Sequence, residues 1–227
     1  MKIDFLDNKK AYNMSVSYTI LDSSNSDNNI IKLTDPHDHL EPREWVDVQI
    51  DWCTNNICGT SLIPALLNLR GDLIGCEIGV CLGTTSDAFL KRVPNIKKYY
   101  AVDHYPVFID GNVANLSKER QELIKQYAFD ILSKHDNKVN FEYVDSDTFS
   151  KTIPDEHLDF IFIDGDHRYE SVLRDLNNYY SKIKIGGIFA GHDYGNREVN
   201  SALRDFLKED YDKIYPLEND VWYVEKK

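Results

Sequence analysis

The chain has few cysteines, and their spacing matches no structural zinc site. Four occur in 227 residues, and none forms a Cys-x-x-Cys pair. Cys53 and Cys58 are separated by four residues, with no second pair containing histidine nearby. Cys76 and Cys81 flank an apolar segment, which indicates buried free thiols. The cysteines therefore predict free thiols and no zinc module.

Long apolar runs are also missing. No segment approaches the ~20 apolar residues that span a bilayer. The first ten residues, MKIDFLDNKK, lack the apolar core of a secretory signal. Hydrophobic residues still make up 42% of the chain, which is typical of a globular protein. We therefore expect a globular protein with a cytoplasmic location and no membrane partner.

Positive charge is scarce. Lysine and arginine number 26 against 38 aspartates and glutamates, which gives a net charge of −12. Nonspecific binding to nucleic acid needs a basic surface, and the sequence contains no dense run of lysine or arginine. The composition therefore predicts no nucleic-acid partner.

The first sixty residues differ from the rest. They are rich in Asn, Asp and Ser, and two short strand-like runs, MSVSYTIL and NIIKL, alternate with loop signals. We interpret residues 1–60 as an N-terminal extension, a β-ribbon with a lid, packed on a main domain at 61–227. The cluster His37-Asp38-His39 is interpreted as a solvated turn rather than a metal site.

From residue 61 onward, strand-like and helix-like segments alternate, which predicts βαβ units and a mainly parallel sheet of the α/β class. One predicted helix places Leu123, Tyr127 and Ile131 on its apolar face, and another is expected to stop before Gly186-Gly187. Ligands of such sheets bind beyond the carboxyl ends of the strands. The predicted helices are SLIPALLNLR, TTSDAFLKRV, LSKERQELIKQYAFDILSKH, SVLRDLNNYYSKI and NREVNSALRDFLKE, and the predicted strands are LIGCEIGV, KKYYAVDHY, VNFEYVD, LDFIFIDGD, GGIFAGHDY and the closing pair DKIYPLEND and VWYVEKK.

The first of these strands ends in a glycine-containing turn. Gly79 and Gly83 permit a tight turn that a ligand can approach closely. The next helix begins at Thr84, where free N–H groups and hydroxyls are available. The pattern is not Gly-x-Gly-x-x-Gly, so a dinucleotide pyrophosphate is not expected. Alone, the turn is also compatible with simple packing.

Acidic residues end the second and third strands. Asp103 follows Gly79 by 24 residues. Its carboxylate is suited to accept hydrogen bonds from both hydroxyls of a ribose, or to cap a surface turn. Asp145, followed by Ser146, is suited either to an adenine amine or to the N-cap of a short helix, and the sequence does not separate these two. Together, the glycine turn and Asp103 indicate an adenosyl group.

The fourth and fifth strands end in clustered titratable residues. Asp164, Asp166 and His167 follow the fourth strand, and His192 and Asp193 follow the fifth. Neighbouring strand ends bring Asp164, His192 and Asp193 together, and such side chains suit a divalent metal. The alternative is an ion pair between Asp164 and His192. Crowding of this kind favours a cation or a proton-transfer role.

At this point the sequence resembles class I methyltransferases that use S-adenosylmethionine, and among them the small metal-dependent O-methyltransferases typified by the macrocin and novobiocin-sugar enzymes. The resemblance rests on FIDGDHRYE at 162–170, on Asp175-Leu176, on Gly186-Gly187 and on GHDY at 191–194. It covers residues 61–227. The two motifs at the fourth and fifth strand ends are the specific part of it.

This resemblance implies a Rossmann-like, seven-stranded, mostly parallel sheet flanked by helices, with the last strand antiparallel. It implies metal binding by Asp164, His192 and Asp193, and it implies that Asp166 is the general base, with His167 as the second candidate. The acceptor is expected to be a small molecule or glycan with vicinal hydroxyls, and related enzymes are often homo-oligomers. The residues expected at the S-adenosylmethionine site are Glu77, Gly79, Gly83, Thr84, Asp103, Asp145, Ser146 and Asp164.

One departure concerns the metal. The antibiotic-sugar enzymes place two carboxylates where this chain has His192-Asp193. Magnesium prefers oxygen ligands, whereas imidazole suits manganese, iron or zinc, so magnesium and manganese both remain candidates. The competing hypotheses are a metal-free O- or N-methyltransferase, a non-catalytic adenosyl-binding module, and a nicotinamide-dependent oxidoreductase, against which the glycine pattern counts.

Overall fold

A computed structural model describes residues 40–55, 62–105 and 117–227. Within these ranges the strands are β1 (Leu73–Ile78), β2 (Ile96–Val102), β3 (Val139–Glu142), β4 (Leu158–Ile163), β5 (Ile183–Gly191), β6 (Tyr215–Pro216) and β7 (Trp222–Glu225). The helices are α1 (Pro42–Asn55), α2 (Leu62–Asn68), α3 (Thr84–Arg92), α4 (Lys118–Leu132), α5 (Ser146–Ser150), α6 (Tyr169–Tyr180) and α7 (Arg197–Leu207). Three 3-10 helices lie at Asp136–Lys138, Lys208–Lys213 and Glu218–Asp220.

The strands form one seven-stranded sheet in the order β3-β2-β1-β4-β5-β7-β6. Strands β1 to β5 are parallel, and β7 runs antiparallel to β5. The mostly parallel, Rossmann-like sheet predicted above is therefore confirmed. The order reverses between β1 and β4, and this switch point opens a crevice at their carboxyl ends.

Helices cover both faces of the sheet. On one face, α6 and α7 pack Leu176 and Leu203 over the buried side chains of β4 and β5. On the other, α2, α3 and α4 contribute Leu67, Phe89 and Leu132. Because β1 and β4 are covered on both sides, their sequences LIGCEI and LDFIFI are almost continuously apolar. The crevice between them therefore stands on a rigid, buried support.

The buried face of α4 is rotated from the predicted one. Ile124, Ala128 and Leu132 are buried, whereas the predicted Leu123 and Tyr127 are only partly buried. The reason is that α4 packs on two sides. Ala128 and Leu132 pack on the sheet side of the molecule, whereas Ile124, with Leu123 and Tyr127, belongs to the cluster formed with α1.

The paired glycines lie inside a strand rather than at a helix end. Helix α6 ends at Tyr180, and β5 already begins at Ile183. The pairing of β4 with β5 shifts register here, and Gly186 has a φ of +76°. A Cβ on Gly187 would collide with the side chain of Ile183. The glycines thus accommodate a bulge in β5, which corrects the predicted helix stop.

Helix α1 is the described part of the predicted extension. It packs against α4, with Trp45 and Val46 buried. The sequence analysis did not predict this helix. The strand-like runs and the His37-Asp38-His39 turn lie outside the described residues, so the β-ribbon and the boundary at residue 60 stay predictions. None of the helices in the described ranges has the length and apolar character of a membrane span.

Candidate active site

The turn after β1 is packed directly against the end of β4. Gly79 has a φ of +86°, and a Cβ there would collide with the backbone carbonyl of Asp164. The N–H of Asp164 also donates to the carbonyl of Ile78 at 2.8 Å. Gly83, with a φ of +74°, is the N-cap of α3 and offers no side-chain cap to the helix start at Thr84. The glycine turn and the loop that begins at Asp164 are therefore in direct contact, and together they form one rim of the crevice at the carboxyl ends of β1 and β4.

Glu77 lies beneath this rim rather than facing the crevice. Its side chain is buried, with 1% exposure, and its carboxylate accepts hydrogen bonds from the hydroxyls of Ser86 and of Tyr99. Burial raises the pKa of Glu77 to about 8, although the Ser86 hydrogen bond opposes the shift. Glu77 thus ties β1 to the first turn of α3 and supports the predicted cofactor turn from below.

Asp103 connects the β1 turn to the end of β2. One carboxylate oxygen accepts the N–H of Cys81 at 2.9 Å, and the other accepts the N–H of Tyr105 at 2.7 Å. Burial raises the pKa of Asp103, and these two N–H donors oppose the rise. Carboxylate oxygens offer about four acceptor sites, so two N–H bonds leave room for ribose hydroxyls. The structure brings Asp103 to the glycine turn, as predicted.

Asp145 and Ser146 are engaged in local hydrogen bonds. Asp145 is the N-cap of α5 and accepts the N–H and the hydroxyl of Thr148 at 2.9 and 2.7 Å, which lower its pKa. Of the two alternatives for Asp145, the structure therefore shows the N-cap. Ser146 donates to Asp175 at 2.6 Å, and burial raises the pKa of Asp175 to about 6. An adenine contact by Asp145 or Ser146 stays a prediction.

The ends of β4 and β5 form a compact cluster of possible metal ligands. Ligand atoms of Asp164, His167 and Asp193 all lie within 4.8 Å of one another. His167 Nε2 is 3.0 Å from Asp193 Oδ2 and 3.5 Å from Asp164 Oδ1. Nevertheless, this buried nitrogen has no hydrogen-bond partner among the described residues. His167 Nε2 therefore lies beside both carboxylates, at ion-pair distance from each.

His192 adjoins the same cluster. Its Nδ1 lies 3.1 Å from Asp193 Oδ2 and 3.4 Å from Asp164 Oδ1, and its Nε2 lies 3.1 Å from the carbonyl of Asn219. Because a carbonyl only accepts, Nε2 carries the proton of this hydrogen bond. The structure therefore brings together Asp164, His192 and Asp193, as predicted. It adds His167, which the sequence analysis assigned only to proton transfer.

The electrostatics of the cluster favour a positive charge. Burial opposes ionisation of Asp164 and Asp193, but their contacts with His167 and His192 outweigh it and lower the pKa of both carboxyls. Conversely, burial lowers the pKa of His167, and the two carboxylates outweigh it and raise that pKa to about 10. Asp193 also has a φ of +57°, a left-handed conformation that few non-glycine residues adopt.

Asp166 lines the same small pocket as His167 and His192 but is not among the clustered ligand atoms. Its carboxylate accepts Arg168 Nη2 at 2.6 Å, the N–H of Arg168 at 3.0 Å and the hydroxyl of Ser171 at 2.7 Å. Although partial burial opposes ionisation, these donors lower the pKa of Asp166 to about 2. A carboxylate held in this way is a weak proton acceptor. In this conformation, the predicted base is thus held in an ion pair with Arg168.

Comparison with known proteins identifies the family. Residues 76–194, slightly more than half of the chain, match the family described as "Methyltransferase domain". The chain belongs to this methyltransferase family. A protein of Acanthamoeba polyphaga mimivirus, named uncharacterized protein R132, is 30% identical over 134 residues. The match covers 55% of this chain and 53% of that protein, so this methyltransferase spans about half the length of that relative.

Solved structures share the fold. An S-adenosylmethionine-dependent O-methyltransferase of Thermotoga maritima superposes with a TM-score of 0.51 at 15% identity, over 74% of this chain and 64% of that one. An S-adenosylmethionine-dependent methyltransferase of Aquifex aeolicus gives 0.52 at 17% identity, over 82% and 97%. At these identities the likeness establishes the methyltransferase fold. S-adenosylmethionine is the cofactor that the family implies for this chain.

Proposed function

We propose that this methyltransferase transfers a methyl group from S-adenosylmethionine to a hydroxyl of a sugar or other polyhydroxylated small molecule, with the help of a divalent metal. The observation that carries the proposal is the contact between the two halves of the site. Gly79 packs on the backbone of Asp164, so the cofactor turn and the Asp164–His167–Asp193 cluster share one rim. The macrocin and novobiocin-sugar enzymes remain the proposed subgroup.

The proposed cofactor site is the β1 turn together with Asp103. The backbone of Gly79 and Gly83 and the start of α3 at Thr84 would face the methionine and ribose portions. Asp103 would accept the ribose hydroxyls with the lone pairs that Cys81 and Tyr105 leave open. Asp145 and Ser146 are proposed to lie near the adenine, and the buried Glu77 is proposed to support the turn.

The cluster at the ends of β4 and β5 fits a divalent metal. His167 Nε2 is buried among carboxylates without a hydrogen-bond partner in the described part of the chain, as expected of a ligand atom. His192 bonds a backbone carbonyl through its other ring nitrogen, the arrangement typical of a metal-ligating histidine. Two carboxylates and up to two imidazoles favour manganese, iron or zinc over magnesium. When bound, the cation would stabilise the alkoxide that develops on the acceptor oxygen.

Asp166 is the proposed proton acceptor. It lies between the ligands Asp164 and His167 in sequence but outside the ligand cluster. Its partner Arg168 has 55% exposure, and exposed ion pairs contribute little stability, so acceptor binding can displace this arginine. In the reaction, the bond from acceptor oxygen to methyl carbon forms as the carbon–sulfur bond breaks. The hydroxyl proton passes to the carboxylate of Asp166.

A second candidate function is methyl transfer without metal, to oxygen or nitrogen. One observation favours it: His167 and His192 already lie within 3.5 Å of Asp164 and Asp193, so protonated imidazoles would neutralise the cluster. Asp166 would then act alone as the base, and His167 could take this role only as the neutral imidazole, with His192 carrying the charge. A non-catalytic adenosyl-binding module has no use for such a cluster and is the weaker alternative.

Turnover of an acceptor panel, with and without chelator, tests the proposal. We expect methylation of vicinal diols in the presence of manganese, no methylation in excess chelator, and little methylation of mono-hydroxyl analogues. Efficient methylation of a lone amine would contradict the diol assignment, whereas full activity in chelator would favour the metal-free alternative. Binding of S-adenosylhomocysteine, measured by calorimetry, tests the cofactor assignment separately. The extension at residues 1–60 is proposed to help select the acceptor.

A further inference from the structure

Helix α1 reaches the cofactor turn although it lies outside the segment that matches the methyltransferase family. Trp45 and Val46 of α1 form one buried cluster with Leu82 and Ile124. Leu82 belongs to the turn between Gly79 and Gly83. The side chains of α1 therefore pack against the turn itself and against α4.

A buried arginine holds this helix in place. Arg120, at the start of α4, has 6% exposure. Its Nη2 donates to the carbonyl of Leu40 at 2.9 Å, and its guanidinium lies 5.0 Å from the centre of the Trp45 ring. Both contacts join the N-terminal end of α1 to α4. The position of α1 over the turn is thus fixed by specific contacts as well as by apolar packing.

Tyr105 connects the α1 cluster to the predicted ribose site. Its ring packs against the Trp45–Leu82 cluster, and its hydroxyl donates to the carbonyl of Cys81 at 3.0 Å. Its N–H donates to Asp103 at 2.7 Å. Tyr105 has a φ of +47°, which is unusual for a bulky residue and persists only where the surroundings hold it. One residue therefore contacts the α1 cluster, the cofactor turn and the ribose carboxylate.

We propose that Tyr105 is a positioning residue, held by the docked α1, that keeps the Gly79–Gly83 turn and Asp103 at the separation that the cofactor requires. The proposal rests on the proposed cofactor site. In this arrangement, Tyr105 acts through the carbonyl of Cys81 and the carboxylate of Asp103. Loss of its hydroxyl should weaken cofactor binding, since the turn would lose a restraint, and should leave the methyl-transfer step at saturating cofactor little changed.

Calorimetric titration with S-adenosylhomocysteine tests the role of the hydroxyl. Tyr105→Phe should weaken binding roughly five-fold, the loss expected for one net hydrogen bond. Tyr100→Phe is the matched control, since Tyr100 lies on β2, a few residues before Tyr105, and its hydroxyl contacts His157 at 3.2 Å. We expect wild-type affinity in the control and unchanged kcat in Tyr105→Phe. Wild-type affinity in Tyr105→Phe would overturn the proposal, whereas a wild-type protein that fails to bind would count against the cofactor site itself.

The link to α1 is tested with a double-mutant cycle. Trp45→Leu should weaken binding of S-adenosylhomocysteine, and its effect should largely vanish in the Tyr105→Phe background, because coupled residues are non-additive. Val48→Ala, on the exposed side of α1, is the control. If Trp45→Leu fails to fold, Arg120→Lys replaces it, because this change alters the contacts with the Leu40 carbonyl and the Trp45 ring while keeping the charge. The coupling would be overturned if the loss of affinity in the double variant equals the product of the losses in the two single variants. Unchanged affinity in the α1 variant would also overturn it.

Discussion

Asp103 accepts a hydrogen bond from the backbone N–H of Cys81 at 2.9 Å, and this contact joins the end of β2 to the turn after β1. Cys81 has a φ of +48°, so the carboxylate also holds a backbone conformation that is unfavourable for a residue with a Cβ. Asp103 therefore has a structural role in addition to its proposed contact with ribose. Experiments on this residue must separate the two.

For Asp103 we predict that Asp103→Asn lowers the affinity for S-adenosylhomocysteine by about 10- to 100-fold, because charge-assisted hydrogen bonds to the ribose are lost. The amide retains one acceptor oxygen, so the loss of thermal stability should be smaller than in Asp103→Ala. Calorimetry and thermal denaturation measure the two effects. Wild-type affinity in the Asn variant would remove Asp103 from the cofactor site, whatever its melting temperature.

Metal dependence gives a second prediction. Chelator should abolish turnover, and manganese should restore it at least as well as magnesium, since the cluster contains imidazole. His167→Gln should weaken manganese binding by at least about ten-fold, on the scale reported for losses around metal sites. His157→Gln, at a histidine outside the cluster, is the control for calorimetry. Equal manganese affinity in wild type and His167→Gln would exclude His167 as a ligand.

Proton transfer gives a third prediction. Asp166→Asn should lower turnover by about 10²-fold, the usual size of a general-base contribution, and should leave the affinities for S-adenosylhomocysteine and manganese unchanged. The control is Ser171→Ala, which removes one hydrogen bond to Asp166 but keeps the carboxylate. Asp166→Asn could instead turn over at the wild-type rate, while a His167→Gln variant that still binds manganese is inactive. The base would then be His167.

The buried Glu77 predicts a pH-dependent stability. Its folded pKa of about 8 lies above the ordinary value of 4.5, so between these values the folded state retains a proton that the unfolded state has lost. The free energy of unfolding should therefore fall as pH rises through this range, by up to about 1.4 kcal/mol per pH unit. Urea denaturation of wild type and Glu77→Gln at several pH values measures it. Parallel pH profiles for the two proteins would contradict the raised pKa.

Backbone strain at Cys81 gives a fifth prediction. Glycine adopts a φ of +48° freely, whereas a β-branched residue does so at a large cost. The free energy of unfolding of Cys81→Val should be lower than that of Cys81→Gly by about 1–2 kcal/mol. Cys81 is exposed, which corrects the buried thiol expected from the sequence, and the comparison is therefore little affected by lost packing. Equal stability of the two variants in urea would contradict the left-handed backbone at this position.

The sheet, and the edge of it at which the candidate site lies, could be predicted from the sequence. Strands buried on both faces must be continuously apolar, so LIGCEI and LDFIFI are recognisable without coordinates. In a parallel sheet the residues that follow such strands meet at one edge. This reasoning placed Gly79, Asp103, Asp164 and Asp193 together, and the structure shows them around one crevice.

The contacts of individual side chains could not be predicted from the sequence and are visible only in the folded molecule. Asp166, His167 and His192 can each bind a proton or a metal, so the residue types alone do not assign their roles. The roles depend on the directions of the loops, which the local sequence pattern does not encode. The loop after β4 brings His167 to 3.0 Å from Asp193, while the carboxylate of Asp166 is bound by Arg168 and Ser171. The apolar periodicity of α4 likewise could not predict which of its residues face the sheet. A second side of this helix is also apolar, because it packs against α1.

The role of α1 also required the tertiary structure. Its sequence, PREWVDVQIDWCTN, follows a loop-rich segment, and its partners Leu82, Tyr105 and Arg120 are distant in the chain. Local sequence fixes what a strand or turn can be, because its constraints come from backbone sterics and burial. Which groups then share a site is fixed by packing between segments far apart in sequence, and this packing placed α1 against the glycine turn after β1.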